Sequence, residues 1–187
     1  MSESQSTSNT DLLKKLRRKA ELCRYCHSTL HGKYRAWKMG KEFAIFFLSG
    51  LSTALVGLYY RGIVQGELVL FAIFILSILV VLFQSLDHTV FCWTDRAAKH
   101  ESAVQIWGAW IRDADFLEKN LFQYTKNLAN EKLQNMQETY NNCMSQTPQI
   151  PNKKFLEYKK DFRVYLLKSK AIDSMTLDDI AKGKARG

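Results

Sequence analysis

The sequence predicts an all-α integral membrane protein: a two-helix transmembrane hairpin with a cytoplasmic helix before it and a long helical region after it. Three observations predict this. Two uncharged apolar blocks, Phe43 to Tyr60 and Leu68 to Leu86, lie close together in a chain of 187 residues. At about 1.5 Å per helical residue each block reaches roughly 27–29 Å, against a hydrocarbon core of about 30 Å. Elsewhere the apolar residues recur every three or four positions, the period of a helix face, and no region is strand-rich. A buried core helix can be equally apolar, but two such blocks would need a large soluble shell to cover them.

The opening "MSESQSTSNT", residues 1–10, is rich in Ser and Thr and predicts a disordered N-terminus. Residues 11–42 predict a basic amphipathic helix. Leu13, Leu16, Ala20, Cys23, His27, Leu30, Tyr34 and Trp37 form a seam with the 3-4 spacing of a coiled coil or helix bundle. Lys14, Lys15, Arg17, Arg18 and Lys19 lie off that seam, and Asp11 suits the positive end of the helix dipole.

The hairpin follows at 43–86, with spans 43–60 and 68–86 around a turn at 61–67. The turn "RGIVQGE" is short, so both termini fall on one side. Arg24, Lys33, Arg35, Lys38 and Lys41 precede the first span, and Arg96 and Lys99 follow the second. The positive-inside rule therefore places both termini in the cytoplasm. Trp37, Tyr59, Tyr60 and Trp93 fall near the expected interfaces, where aromatic rings collect. The first apolar block begins too late for a cleaved signal peptide.

Residues 87–170 predict a cytoplasmic helical domain. Trp107, Trp110, Ala114, Leu117, Leu121, Tyr124 and Leu128 continue the 3-4 spacing. The phase then slips to Leu133, Met136, Tyr140 and Cys143, which marks a bend or a change of partner. "TPQIP", Thr147 to Pro151, breaks the helix, and another begins near Lys153 with Phe155, Tyr158, Phe162 and Tyr165 on one face. Residues 171–187 predict a short helix, capped by Thr176 and stopping near Gly183, and a basic tail. Regular seams also pair between copies, so Leu16, Leu30, Tyr34, Trp107, Trp110, Leu117 and Leu121 predict a homo-oligomer or a helix seam.

The net charge of +9 is uneven, with +6 over residues 1–42, −2 over 87–147 and +5 over 148–187. The basic helix has three candidate partners: the acidic middle segment, anionic lipid and nucleic acid. The pairing of helices favours the acidic segment. Direct nucleic-acid binding is disfavoured, because no stacking platform or recognition motif stands out.

"CRYCH", Cys23 to His27, matches the attachment signature of a c-type haem. A cytoplasmic helix is the wrong setting for that attachment. Cys23, Cys26, His27 and His31 are also candidate metal ligands, since zinc accepts thiolate and imidazole. One helix cannot easily surround an ion, so His88 and Cys92 would have to help. The alternative is that these are packing residues in the seam. Thiols in the cytoplasm stay reduced, so no disulfide is expected.

In the first span Ser49, Thr53 and Gly57 recur every four residues. Small residues allow helices to approach closely in lipid. Two readings remain open: packing within one hairpin, or Ser49, Ser52, Thr53 and Gly57 lining a pore formed by several copies. In such a pore Arg61 and Glu67 would stand at the outer mouth, and Asp87 and His88 at the inner one, where charged rings select ions. No phosphate-binding Gly loop, Ser/His/Asp arrangement or H-E-x-x-H is present, so neither an enzyme nor a cofactor is expected.

The layout, the small-polar span "LSGLSTALVGLYY" and the following "DHTVFCWTDRAAKHESA" together resemble the SLATT family over most of residues 11–170. These are two-transmembrane proteins associated with bacterial nucleotide-signalling and other conflict systems. The resemblance implies an oligomeric, pore-forming or membrane-disrupting effector of anti-phage defence in the bacterial inner membrane. It also implies a separate sensor, such as a nucleotide synthase or reverse transcriptase. A non-conducting membrane anchor or scaffold for a cytoplasmic partner is the alternative.

Overall fold

The computed structural model describes residues 3–86 and 90–173, with side chains described over 10–86 and 90–170. Every regular element among them is helical. The order is α1 (Glu3–Tyr60), α2 (Glu67–Leu86), α3 (Trp93–Asn120), α4 (Lys126–Gln146) and α5 (Asn152–Asp173).

Helix α1 is one element of 58 residues. It absorbs both the expected basic helix and the first apolar block. Proline is absent from it, and each of its glycines stands alone, at a cost of about 1 kcal/mol that long runs of good helix formers offset. The helix also starts at Glu3, so the disorder expected over 1–10 is replaced by helix from that residue on. Extending an existing helix requires only one residue to be fixed per hydrogen bond, whereas starting one requires several.

The link from α1 to α2 is a defined motif. Gly62 N–H donates to Tyr59 O at 3.0 Å and Ile63 N–H to Leu58 O at 3.1 Å. This pair of bonds is a Schellman cap, which needs a left-handed residue after the helix, and Gly62 supplies a φ of 69°. Gly66, at φ 133°, leads into α2, and its carbonyl accepts Val69 N–H at 3.2 Å. Glu67 belongs to α2 rather than the turn, where its charge suits the helix N-terminus.

The helical region after the apolar blocks is divided. Cys92 has a φ of 46°, and its carbonyl accepts Arg96 N–H at 2.9 Å, so α3 begins at Trp93. A second break comes at Leu121–Gln123, a turn of 3-10 helix after which Thr125 leads α4. The break precedes the change of phase, which falls between Leu128 and Leu133 inside α4. "TPQIP" separates α4 from α5 as expected.

The described residues divide into two compact units, residues 3–29 with 101–173, and residues 30–86 with 90–100. The first has its core where α1, α3 and α4 meet. Leu13, Ala20, Trp107, Trp110, Ile111, Ala114, Leu117 and Leu133 form one buried cluster. Tyr140 packs its ring 5.3 Å from Trp107 and 5.4 Å from Trp110, and Trp110 Nε1–H donates to Met136 O at 3.1 Å. On α5, Tyr158 and Phe162 are buried, with Phe162 5.3 Å from the Tyr25 ring. The oligomer seam residues Trp107, Trp110 and Leu117 are thus spent on this intramolecular core, with Leu16 and Leu121 packed against it.

In the second unit α1 meets α3 through His31, Tyr34 and their partners. His31 Nδ1 donates to Ala97 O at 3.1 Å, Tyr34 stacks on His100 at 5.5 Å, and the Arg96 guanidinium lies over the Tyr34 ring at 6.0 Å.

Candidate functional site in the apolar helices

Two helices are long and apolar enough to cross a membrane, the C-terminal part of α1 and all of α2. No residue in the apolar window of either is buried. Phe43, Phe46, Leu68 and Phe71 are 63–84 % exposed. Half-buried positions form one stripe on each helix: Ala44, Ile45, Leu48, Ser52, Leu55, Val56 and Tyr59 on α1, and Val69, Ala72, Ile73, Leu76 and Val80 on α2.

This pattern separates the pore-lining candidates. Ser52 lies on the half-buried stripe, while Ser49, Thr53 and Gly57 lie on an exposed one. A Cβ added at Gly50 or Gly57 would meet nothing within 4 Å. The small-residue face is therefore open rather than packed within the chain. Two hydroxyls in the apolar helices have partners: Thr53 Oγ1–H donates to Ser49 O at 2.9 Å on α1, and Ser77 Oγ–H to Ile73 O at 2.9 Å on α2. A helix carbonyl shared in this way satisfies a hydroxyl without water.

At one end of the spans Arg61 and Glu67 are both exposed, beside Tyr59 and Tyr60 in edge contact at 6.3 Å. At the other end Trp37 and Trp93 stack at 5.6 Å, and Phe91 packs 4.7 Å from Trp93. A mainly apolar groove of about 420 Å³ opens there between Trp37, Gly40, Lys41, Ala44, Phe83 and Trp93. Lys38 pairs with Glu42 at 3.8 Å nearby on α1. The inner-mouth candidates Asp87 and His88 lie outside the described residues, as do the Thr176 cap and the basic tail.

The metal candidates are not gathered into a site. Among the described residues no three His, Cys, Asp or Glu side chains converge to hold a metal ion. Cys26 and His27 are buried, and Cys23 packs on the core. Burial pushes the Cys23 thiol up to about 11. Burial, with Cys23 as neighbour, pushes Cys26 up to about 12. Protonated thiols are poor ligands. All four cysteines are free.

The basic helix does meet the acidic segment. Arg17 lies 2.9 Å from Asp115 and 3.1 Å from Glu118, and also 3.1 Å from Glu21 on its own helix. Burial works against its charge, yet these three carboxylates hold its pKa above the ordinary value. Seam counting missed a second stripe on α1, where Leu22, Tyr25 and Cys26 turn apolar surface away from the first seam. Its signal was present in their three- and four-residue spacing. No family model, curated protein or solved structure matches this chain.

Proposed function

We propose that this chain is an integral membrane effector whose α1 and α2 form a transmembrane hairpin with both termini in the cytoplasm, and which permeabilises the membrane as an oligomer. The observation that carries the reading is that the apolar windows of two long helices have no residue buried within the chain. Exposing that much apolar surface to water is unfavourable by roughly 25 cal/mol per Å², and lipid removes the penalty. The aromatic rings at both ends of the spans fit the two interfaces. The open face of Ser49, Gly50, Thr53 and Gly57 supports assembly, since close approach of a second copy needs small residues. The basic residues flanking the spans support the cytoplasmic placement of the ends. The role in anti-phage defence, in the bacterial inner membrane and downstream of a separate sensor, is the one that the SLATT-like layout implies.

Membrane potential in cells expressing the chain, with and without the candidate sensor, tests this reading. Depolarisation with the sensor present is expected, and an unchanged potential there rejects the pore. A specific observation favours a second reading, a non-conducting anchor. The Thr53 and Ser77 hydroxyls are satisfied by their own helices and need no water-filled path. Exchanging the hairpin for an unrelated one separates the two: an anchor keeps working and a pore is lost.

A further inference from the structure

The α1–α3 seam repeats every seven residues, but its charges do not. Arg17 stands opposite Asp115 and Glu118. One heptad further along α1 is Arg24, and one heptad back along α3 from Asp115 is Gly108. Where a carboxylate would answer the second arginine, the chain has only a hydrogen. A Cβ at Gly108 would lie 3.7 Å from Arg24 Nε and 3.9 Å from Arg112 Nη1. Two guanidinium groups therefore cover the side-chain-free backbone at Gly108, which is buried beneath them. Neither forms an ion pair among the described residues, whereas Arg17 alone holds three carboxylates. Like charges brought together without a counterion repel, and an anion placed between them reverses that.

Arg24 also borders a groove of about 500 Å³ between α1, α3 and α5. Its walls include Tyr25, Phe162 and Tyr165, whose rings lie 5.3–6.3 Å from one another. Ser28 and Ser169 add hydroxyls. The one acid on the wall, Glu21, is committed to Arg17. A pocket of this size with a few polar groups suits a small organic ligand. Guanidinium forks match the several oxygens of a phosphate, and flat rings stack on aromatic faces.

We infer that Arg24 and Arg112, over Gly108, hold the phosphate of a small ring-bearing organic phosphate whose planar ring lies against the aromatic wall of the adjoining groove. The site is built within the helical unit and stands independently of the membrane reading.

The test is equilibrium binding of AMP to the full-length protein in detergent, with inorganic phosphate and adenosine as the two halves of the probe. Saturable binding of AMP, at least tenfold tighter than either half, is expected. Arg24→Gln and Arg112→Gln each weaken it about tenfold or more. Both residues are exposed, so their replacement leaves the fold intact, which a thermal unfolding curve checks. Lys119→Gln, an equal loss of charge elsewhere on α3, leaves binding unchanged. Absence of saturable binding at millimolar AMP overturns the assignment. So does an equal loss in all three variants, which would mean diffuse charge. Phosphate binding as tightly as AMP removes the aromatic wall from the site.

Discussion

The two units use apolar residues in opposite ways. In the helical unit Trp107 is fully buried, Trp110 is 3 % exposed and Ala114 fully buried. In the apolar pair Phe46 is 78 % exposed and Leu68 84 %. Side chains of similar hydrophobicity thus face protein in one unit and open space in the other. The difference teaches that residue type alone does not decide what a fold covers. A unit in water has to close a core, whereas a pair of helices in lipid needs only to satisfy its backbone, which a helix does by itself.

Three predictions break or sharpen this contrast. The largest concerns packing. Trp107→Ala removes a buried indole from the α1–α3–α4 cluster and is expected to cost about 3–5 kcal/mol. Phe46→Ala, with few protein neighbours to lose, is expected to stay within about 0.5 kcal/mol. Denaturant unfolding of the solubilised protein, followed by tryptophan fluorescence or circular dichroism, measures both. Trp107→Phe sharpens the point: Nε1 of Trp107 has no hydrogen-bond partner among the described residues, so replacing it strands no acceptor. Equal costs at Trp107 and Phe46 would abolish the distinction between the units.

The second prediction separates lipid from water at two exposed phenylalanines. Phe74 on α2 is 61 % exposed and Phe122, in the turn before α4, is 81 % exposed. A lysine near the middle of a membrane helix costs about 2.5–3.5 kcal/mol of insertion. Phe74→Lys should therefore shift protein out of the carbonate-resistant membrane fraction, while Phe122→Lys should not. A soluble chain would tolerate both.

The smallest effect is in pH. Folding holds the Cys23 thiol up at about 11, from an ordinary value of about 9, because burial penalises the thiolate. The folded state therefore favours the protonated form. The stability this supplies is complete below about pH 9 and is lost as pH rises toward 11. Cys23→Ala should flatten that part of the stability–pH curve, as read from unfolding midpoints at pH 8, 9 and 10. A curve identical to that of the unsubstituted chain would mean that Cys23 sits in water after all.

Much of this fold was legible because helices are local. The 3-4 spacing through Leu13, Ala20, Trp107, Ala114 and Leu117 marked core positions, since a period of 3.6 residues puts them on one face. "TPQIP" marked a break for an equally local reason, as Pro151 lacks the amide a helix would use. The functional candidates were less legible. Ser49, Ser52 and Thr53 look alike in sequence, but a face only becomes open or half-buried once a neighbouring helix is present. Likewise, the coming together of Arg24, Gly108 and Arg112 joins positions more than eighty residues apart, which no local period relates.

By itself, then, the sequence determined the two uncharged runs, the helical periods and the charge of each segment, because these depend on residue identity and spacing alone. Tertiary structure alone decided that α1 runs unbroken from Glu3 to Tyr60 and that the seams close inside one chain. It also decided that Arg17 gathers its carboxylates while Arg24 and Arg112 meet over a glycine. The physical reason is that burial and charge pairing depend on distances through space, and those are set by how helices cross.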